Sequence, residues 1–375
     1  TLLKEGMRIL KRKRNHKTFH HYTGDGREVI AKIVKANWNG KYFQASQGNF
    51  TSFYIRDFGM SVESLIYMGY TEQVNKTLEY ALSIYYKHGK ITTTITPDGS
   101  PIDIFEFSCD SLPYLLYSLK LAGARYLLDR YFDFLNEQIK HYYKTVFDEK
   151  KDVVYENKTF SSMRDNYRRK SSMYDNTFVA LLANIITELK EYHIHFNNPL
   201  LKWNYNKILR DRFWVGTHFL DDISTHHYVA ADANIVPYYL GIFKDKSMME
   251  TSVNMLIGHK LDRPLPMKYT ANPITEKENT ISNILAKNYE GNTSWTNLGV
   301  MFLEVVGKFN KLMLKKYIDR YLELIDDHHN FLEVFTPDGK PYSSSFYMCD
   351  EGMLWSSVLY KLLDQYYEPL KKYNT

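Results

Sequence analysis

The chain has 375 residues, 44% of them hydrophobic and 15% aromatic, with 48 Lys and Arg against 43 Asp and Glu. That length buries a large core, and the composition is that of an ordinary globular protein; no apolar run reaches the ~18 residues of a membrane helix. A net charge of +5, with basic residues seldom interleaved with aromatics, excludes a nucleic-acid partner.

The first predicted element is a helix over 1–15, and its basic run from Arg8 to Lys17 reads as a solvated face. A polar, aromatic stretch over 35–56 leads to helix 57–70, where Phe58, Val62, Leu65 and Ile66 share one face. Helix 72–88 follows, then a strand-like KITTTIT and a Thr-Pro-Asp-Gly turn at 96–99. Helices 108–123 and 125–146 form the next pair. The irregular stretch 147–174 precedes helix 175–193, with Phe178, Leu182, Ile185 and Leu189 in one stripe. Helix 197–212, the stretch 213–231, helices 232–243 and 245–259 and the stretch 260–293 lead to helix 294–308. Helix 310–327 sets Leu314, Ile318, Tyr321 and Ile325 on one face. A strand-like FLEVFT, a second Thr-Pro-Asp-Gly turn at 336–339 and helix 350–366 complete the chain.

These are about twelve helices, mostly in pairs, or six hairpins of about 60 residues each. They predict an all-α fold, a six-hairpin ring forming a single domain over 1–375, with short β segments in its rim loops. The long irregular stretches would share one rim and wall a cleft, because long loops in a compact domain carry function.

TPDGSPIDIFEFSCD (Thr96 to Asp110) and TPDGKPYSSSFYMCD (Thr336 to Asp350) share a turn and a Cys-Asp pair at the same offset. Cys109 and Cys349 therefore read as equivalent buried positions at helix starts, with no disulfide required. Glu333 stands three residues before the second turn, where the first copy has Thr93. A carboxylate added to one copy only, on a rim, is a candidate for chemistry; the alternative is a surface glutamate. Arg56 and Asp57, just after Tyr54, begin a helix. They could cap it and pair, or grip a hydroxylated ligand, the Asp accepting hydrogen bonds and the Arg orienting it. Asp175 precedes a strong amphipathic helix and suits its N-cap. Asp165 lies in a loop dense in Arg and Lys. Such neighbours lower a carboxyl pKa, so desolvation or a second carboxylate is needed before Asp165 can serve as an acid. Trp38, Trp214 and Trp295 could each offer a ring face to a ligand, Trp295 foremost, although any one of them reads more readily as a core residue.

The histidine pairs at 20–21, 226–227 and 328–329 are adjacent residues, which point to different sides. Neither a Cys-x-x-Cys nor a phosphate loop occurs. No metal and no cofactor are predicted. The low cysteine count and the lack of a signal-peptide pattern predict a cytoplasmic protein, a monomer or weak homo-oligomer with no membrane partner.

The order Arg56-Asp57, loop Asp165 before a helix, SWTNLG, then FLEVFTPDGKP and Trp355-Ser356 resembles the glucoamylase and glycogen-debranching (amylo-α-1,6-glucosidase) type of glycoside hydrolase. The resemblance spans roughly residues 50 to 360. It implies an (α/α)6 barrel and an inverting, exo-acting glucosidase on α-linked gluco-oligosaccharides. One carboxylic acid protonates the leaving oxygen and a carboxylate about 6.5–9.5 Å away activates water. It further implies Glu333 as base, Trp355 following it, and Arg56 and Asp57 holding the terminal sugar with Tyr54 and Trp295. The acid is Asp165, where the family's Trp-Met reads Ser162-Met163, or its rival Asp175 in MYDN. A sugar 2-epimerase and a non-catalytic glycan-binding barrel are the other readings of the same ring.

Overall fold

The computed structural model describes residues 2–15, 18–104, 107–196, 198–224, 227–278 and 286–367. Its first half runs α1 (Leu2–Asn15), α2 (Gly26–Asn37), α3 (Ile55–Tyr67), α4 (Thr71–His88), α5 (Ser111–Leu121), α6 (Arg125–Arg130) and α7 (Phe132–Val146). The second half runs α8 (Met173–Leu189), α9 (Tyr205–Phe213), α10 (Ala231–Tyr239), α11 (Lys246–Gly258), α12 (Thr296–Gly307), α13 (Lys311–His328) and α14 (Ser356–Leu362).

Two kinds of helix alternate. In α8, 14 of 17 residues are buried, whereas in α4 only 6 of 18 are. A helix walled on all sides buries nearly everything, while one with a solvent face buries a single stripe. Among the described residues, α3 packs on α5, α5 on α8, α8 on α10, α10 on α12, α12 on α14, and α14 back on α3. Six inner helices thus close a ring. Outside it, α4 covers α3 and α5, α9 covers α8, α11 covers α10 and α12, α13 covers α12, and α2 covers α14. This is an (α/α)6 barrel.

The segments that lead into the inner helices are stitched together at one end. Strand β1 (Phe53–Tyr54), ahead of α3, pairs with β2 (Thr94–Ile95), which pairs with β3 (Pro101–Ile102) ahead of α5. Single bridges continue around the ring at Ser108 with Ser161 and Ser172 with Asp222. Strands β4 (Phe147–Asp148) and β5 (Val153–Val154) form a hairpin between α7 and α8. On the far side β6 (Ser294–Trp295) pairs with β7 (Val334–Phe335), and Leu354 N donates to Ala45 O, 2.9 Å, to close the circle. All six inner helices therefore start at the same rim.

The duplicated turn is built the same way twice. Gly99 and Gly339 both take φ 83°, a left-handed value that favours glycine. Thr96 N donates to Ser100 O at 3.0 Å, and Thr336 N to Lys340 O at 2.8 Å. In each copy the threonine hydroxyl donates to the turn aspartate, Asp98 or Asp338. Cys109 and Cys349 are both buried and free.

Several expected boundaries are corrected. The first outer helix is α2, which the sequence reading missed, while helix 1–15 lies outside the ring. The signal was present: Asp25 and Glu28 form a capping box, Glu28 N donating to Asp25 Oδ1 at 2.9 Å and Asp25 N to Glu28 Oε2 at 3.2 Å. Helix 125–146 breaks at Tyr131. Helix 197–212 is a 3-10 turn, Pro199–Lys202, followed by α9, which Asn204 caps. Helix 350–366 begins only at Ser356, because the preceding residues are spent on rim hydrogen bonds, and it ends in a π turn, Leu363–Tyr367.

The basic run is not solvated throughout: Lys11 and Arg14 are exposed, but Arg12 is not. Arg12 is only 9% exposed and pairs with Glu351 at 2.5 Å and with Asp350 at 3.5 Å. His16 and Lys17 lie outside the described residues.

Inner helices approach closely where a side chain is missing. A Cβ on Gly59 of α3 would lie 2.5–2.7 Å from Cγ and Cβ of Tyr114, a fully buried residue of α5. Gly59→Ala is expected to cost about 1–3 kcal/mol by overpacking. A lower urea midpoint with an unchanged slope would show it.

Candidate active site

At the rim where the inner helices begin, a cleft opens whose empty space, mouth included, is about 660 Å³. Tyr54, Arg56, Asp57, Asp165, Trp295, Glu333 and Trp355 all line it. Tyr289, Glu290 and Asn297 join them, and the sequence reading had named none of these three. Asp175 does not line it.

Glu333 owes its place to the turn repeat. In both copies the backbone carbonyl at this position accepts the first N–H of an inner helix: Ile55 N to Thr93 O at 3.2 Å, Thr296 N to Glu333 O at 3.0 Å. The scaffold duty thus belongs to the backbone. The Thr93 side chain closes a local loop by donating to Ile102 O at 3.0 Å. The Glu333 side chain instead reaches the cleft. It is buried and receives three hydrogen bonds: Tyr289 OH to Oε1 at 2.6 Å, Tyr347 OH to Oε2 at 2.6 Å, and Asp350 N to Oε2 at 3.0 Å. Burial, with the nearby Asp350 carboxylate, pushes its pKa up to about 7 against those donors.

Across the cleft, Arg56 and Asp57 occupy the first turn of α3. The Arg56 Nε donates to Asp110, its Nη2 to Ser161 Oγ at 3.1 Å, and its Nη1 stands 3.7 Å from Asp165 Oδ2. Tyr174 OH holds Asp110 from the other side at 2.7 Å. Asp57 does not cap α3; Ser61 Oγ donates to its backbone carbonyl at 2.8 Å, and among the described residues no hydrogen bond from another side chain to its carboxyl is found. Burial lifts its pKa to about 7, although Arg56 opposes this. Apart from its own backbone N–H, its carboxyl keeps acceptor capacity toward the cleft.

Asp165 accepts from Ser162 N at 2.8 Å and from Ser161 Oγ at 3.1 Å. Desolvation raises its pKa despite Arg56, with Asp110 adding to the rise. The basic loop around it does not hold it down, because its arginines are turned elsewhere. Arg169 pairs with Asp232 at 2.6 Å and Asp221 at 3.2 Å, and the buried Arg164 lies 3.5 Å from Asp221. A second carboxyl stands close: Glu290, whose Oε2 accepts from Asn166 N at 2.7 Å. Burial first and Asp165 second push Glu290 up to about 8.

The aromatic residues divide. Trp295 lines the cleft, its Nε1 donating to Tyr289 O at 2.8 Å and its ring 4.6 Å from that of Tyr289. Trp355 is nearly buried and anchored by Nε1 on Thr296 Oγ1 at 2.9 Å. Trp38 and Trp214 do not line the cleft and pack against the core, the reading favoured for any one tryptophan. Each ends an outer helix, α2 or α9, and packs on a phenylalanine five residues on, Phe43 at 5.3 Å and Phe219 at 5.0 Å.

Asp175 works inside the wall. The N-cap of α8 is Ser172, and Asp175 answers it: Asp175 N donates to Ser172 Oγ at 3.0 Å, and Ser172 Oγ to Asp175 Oδ2 at 2.7 Å. Among the described residues, no group of three His, Cys, Asp or Glu is arranged to hold a metal ion, and no helix is long and apolar enough to cross a membrane.

No family model matches the sequence, and no curated protein matches it. Solved structures do match. A rhamnosidase from Klebsiella oxytoca with rhamnose bound is similar at TM-score 0.61 and 12% identity, over 94% of this chain and 66% of that one. A glycosidase variant in complex with glucose is similar at TM-score 0.61 and 12% identity, over 96% of this chain and 97% of that one. A mannosylglycerate hydrolase from Thermus thermophilus, in complex with Tris and D-glycerate, is similar at TM-score 0.60 and 11% identity, over 89% and 99%. The chain thus spans just under two thirds of the rhamnosidase and nearly all of the other two. At such identities the shared property is the fold, the (α/α)6 barrel.

Proposed function

We propose that this chain is an inverting, exo-acting glycoside hydrolase that cleaves α-linked gluco-oligosaccharides. The observation that carries the reading is the placement of two carboxyls, Asp165 and Glu333, on separate rim segments of one cleft. In the proposed step the Asp165 carboxyl gives its proton to the glycosidic oxygen as the bond from that oxygen to the anomeric carbon breaks. Glu333 takes a proton from a water whose oxygen bonds to the anomeric carbon from the other face. Asp57 accepts from hydroxyls of the terminal sugar, with Tyr54 beside it; Arg56 fixes Asp165; Trp295 offers a ring face, and Trp355 supports the wall. No histidine lines the cleft among the described residues, so the base of a sugar 2-epimerase has no counterpart.

The test is product release from maltotriose, isomaltotriose, trehalose and a branched dextrin, with the first-formed anomer read by proton NMR. The expected result is glucose released as the β anomer. The rate should rise with pH as Glu333 ionises near 7 and fall at higher pH as the Asp165–Glu290 pair loses its proton. An α product would overturn inversion. Binding without turnover would leave a glycan-binding barrel.

A further inference from the structure

The basic run on α1 is a sequence feature that the proposed mechanism leaves unused, and its Arg12 is largely covered at the rim. The Arg12 Nη1 donates to Asn49 Oδ1 at 2.9 Å and lies 3.5 Å from Asp350 Oδ1, while Nη2 donates to Glu351 Oε1 at 2.5 Å. Asp350 is fully buried and donates its own N–H to Glu333. The space for this guanidinium is reserved: a Cβ on Gly48 would stand 2.5 Å from Arg12 Cζ and would also strike Asp350 Oδ1.

The repeat gives the arrangement meaning. Asp350 is the counterpart of Asp110, and each opens the lead into an inner helix. Asp110 is neutralised by Arg56, from α3, which also faces Asp165. At the equivalent place in the second copy, two residues beyond Trp295 as Arg56 is two beyond Tyr54, stands Asn297, which carries no charge. The ring therefore supplies one arginine of the pair, and a helix outside the ring supplies the other.

The geometry points to Arg12 as a positioning residue for Glu333, acting through Asp350 to keep the base ionisable. This rests on the reading of Glu333 as the base. The groups facing Glu333 are the hydroxyls of Tyr289 and Tyr347, the N–H and carboxylate of Asp350, and the thiol of Cys349. Those facing Asp350 are Arg12, Ser46 Oγ and the N–H groups of Asn49, Phe50 and Glu351. Among these groups Arg12, which faces Asp350, is the one cation. Without it, a buried carboxylate stands uncompensated beside Glu333 and disfavours its ionised form.

The experiment compares wild type, Arg12→Met, Arg12→Lys and Gly48→Ala by pH–rate profile. It adds a titration of the Glu333 carboxyl carbon in protein carrying 13C-labelled glutamate, the signal assigned by its loss in Glu333→Gln. Removing or displacing the guanidinium is expected to move the rising limb and the titration to higher pH by about one unit. That is about a tenfold loss on the acid side, with the falling limb unmoved. Arg12→Lys should restore most of it. A uniform loss at every pH with an unmoved titration would overturn the inference and leave Arg12 a merely structural clamp. If wild type turns over none of the saccharides, the hydrolase reading fails, yet the titration alone still decides whether Arg12 controls Glu333.

Discussion

Replacing Glu333 with Gln is expected to lower kcat by about 10²–10⁴-fold, the usual worth of a general base. An amide cannot take the proton of the attacking water. The loss should be the same for an oligosaccharide and for an aryl glycoside with a good leaving group, because water must be activated in either case. Part of the effect could come from the fold, since the amide NH₂ of glutamine would face either the Asp350 N–H or the tyrosine hydroxyls. That mismatch is worth on the order of 1–2 kcal/mol. Thermal melting separates the two contributions. A variant that melts like wild type and keeps more than a tenth of its activity would remove Glu333 from the chemistry.

Asp165→Asn is expected to behave differently. Its loss of about 10²–10⁴-fold should appear on saccharides, whose leaving oxygen needs a proton, and largely vanish on an aryl glycoside whose phenolate leaves unaided. The substitution is mild for the fold, because an asparagine oxygen still accepts from Ser162 N and Ser161 Oγ. Asp175→Asn supplies the control. That residue is tied to Ser172 at the start of α8, so its change should lower stability by about 1 kcal/mol and leave the leaving-group dependence unmoved. If the dependence follows Asp175 instead, the acid has been assigned to the wrong aspartate. Rates on the two substrate classes for both variants decide it.

The ring was legible because apolar residues at a period of 3.6 mark helices one by one, and short joins mark hairpins. What escaped was α2, whose capping box at Asp25 and Glu28 was overlooked, and the interruption before α14. Apart from Asp165, which lies in a long loop, the cleft residues identified from sequence sit at helix starts or beside a recognisable turn, where local order carries the information. Tyr289 and Glu290 could not be found that way. They lie in a long irregular segment and reach the cleft only through the packing of the rim.

The pKa argument for Asp165 shows the same limit. Its basic neighbours in sequence are turned toward Asp221 and Asp232, so burial decides the outcome. Arg12 was read as solvated for the matching reason: the carboxylate that buries it lies at the opposite end of the chain.

The common direction of the six inner helices has an electrostatic consequence. Each peptide column carries a macrodipole whose amino end is equivalent to roughly half a positive charge, and its effect is concentrated in the first turn. Six such ends converge around the cleft that collects Asp57, Asp165, Glu290 and Glu333. Crowded carboxyls repel one another, and a background of amide dipoles offsets part of that repulsion without adding a further mobile cation to the cleft. Reversing every hairpin would leave the same side chains facing carbonyl oxygens, with their protons held far more tightly. The polarity of the barrel therefore selects which of its two mouths can carry acid–base chemistry.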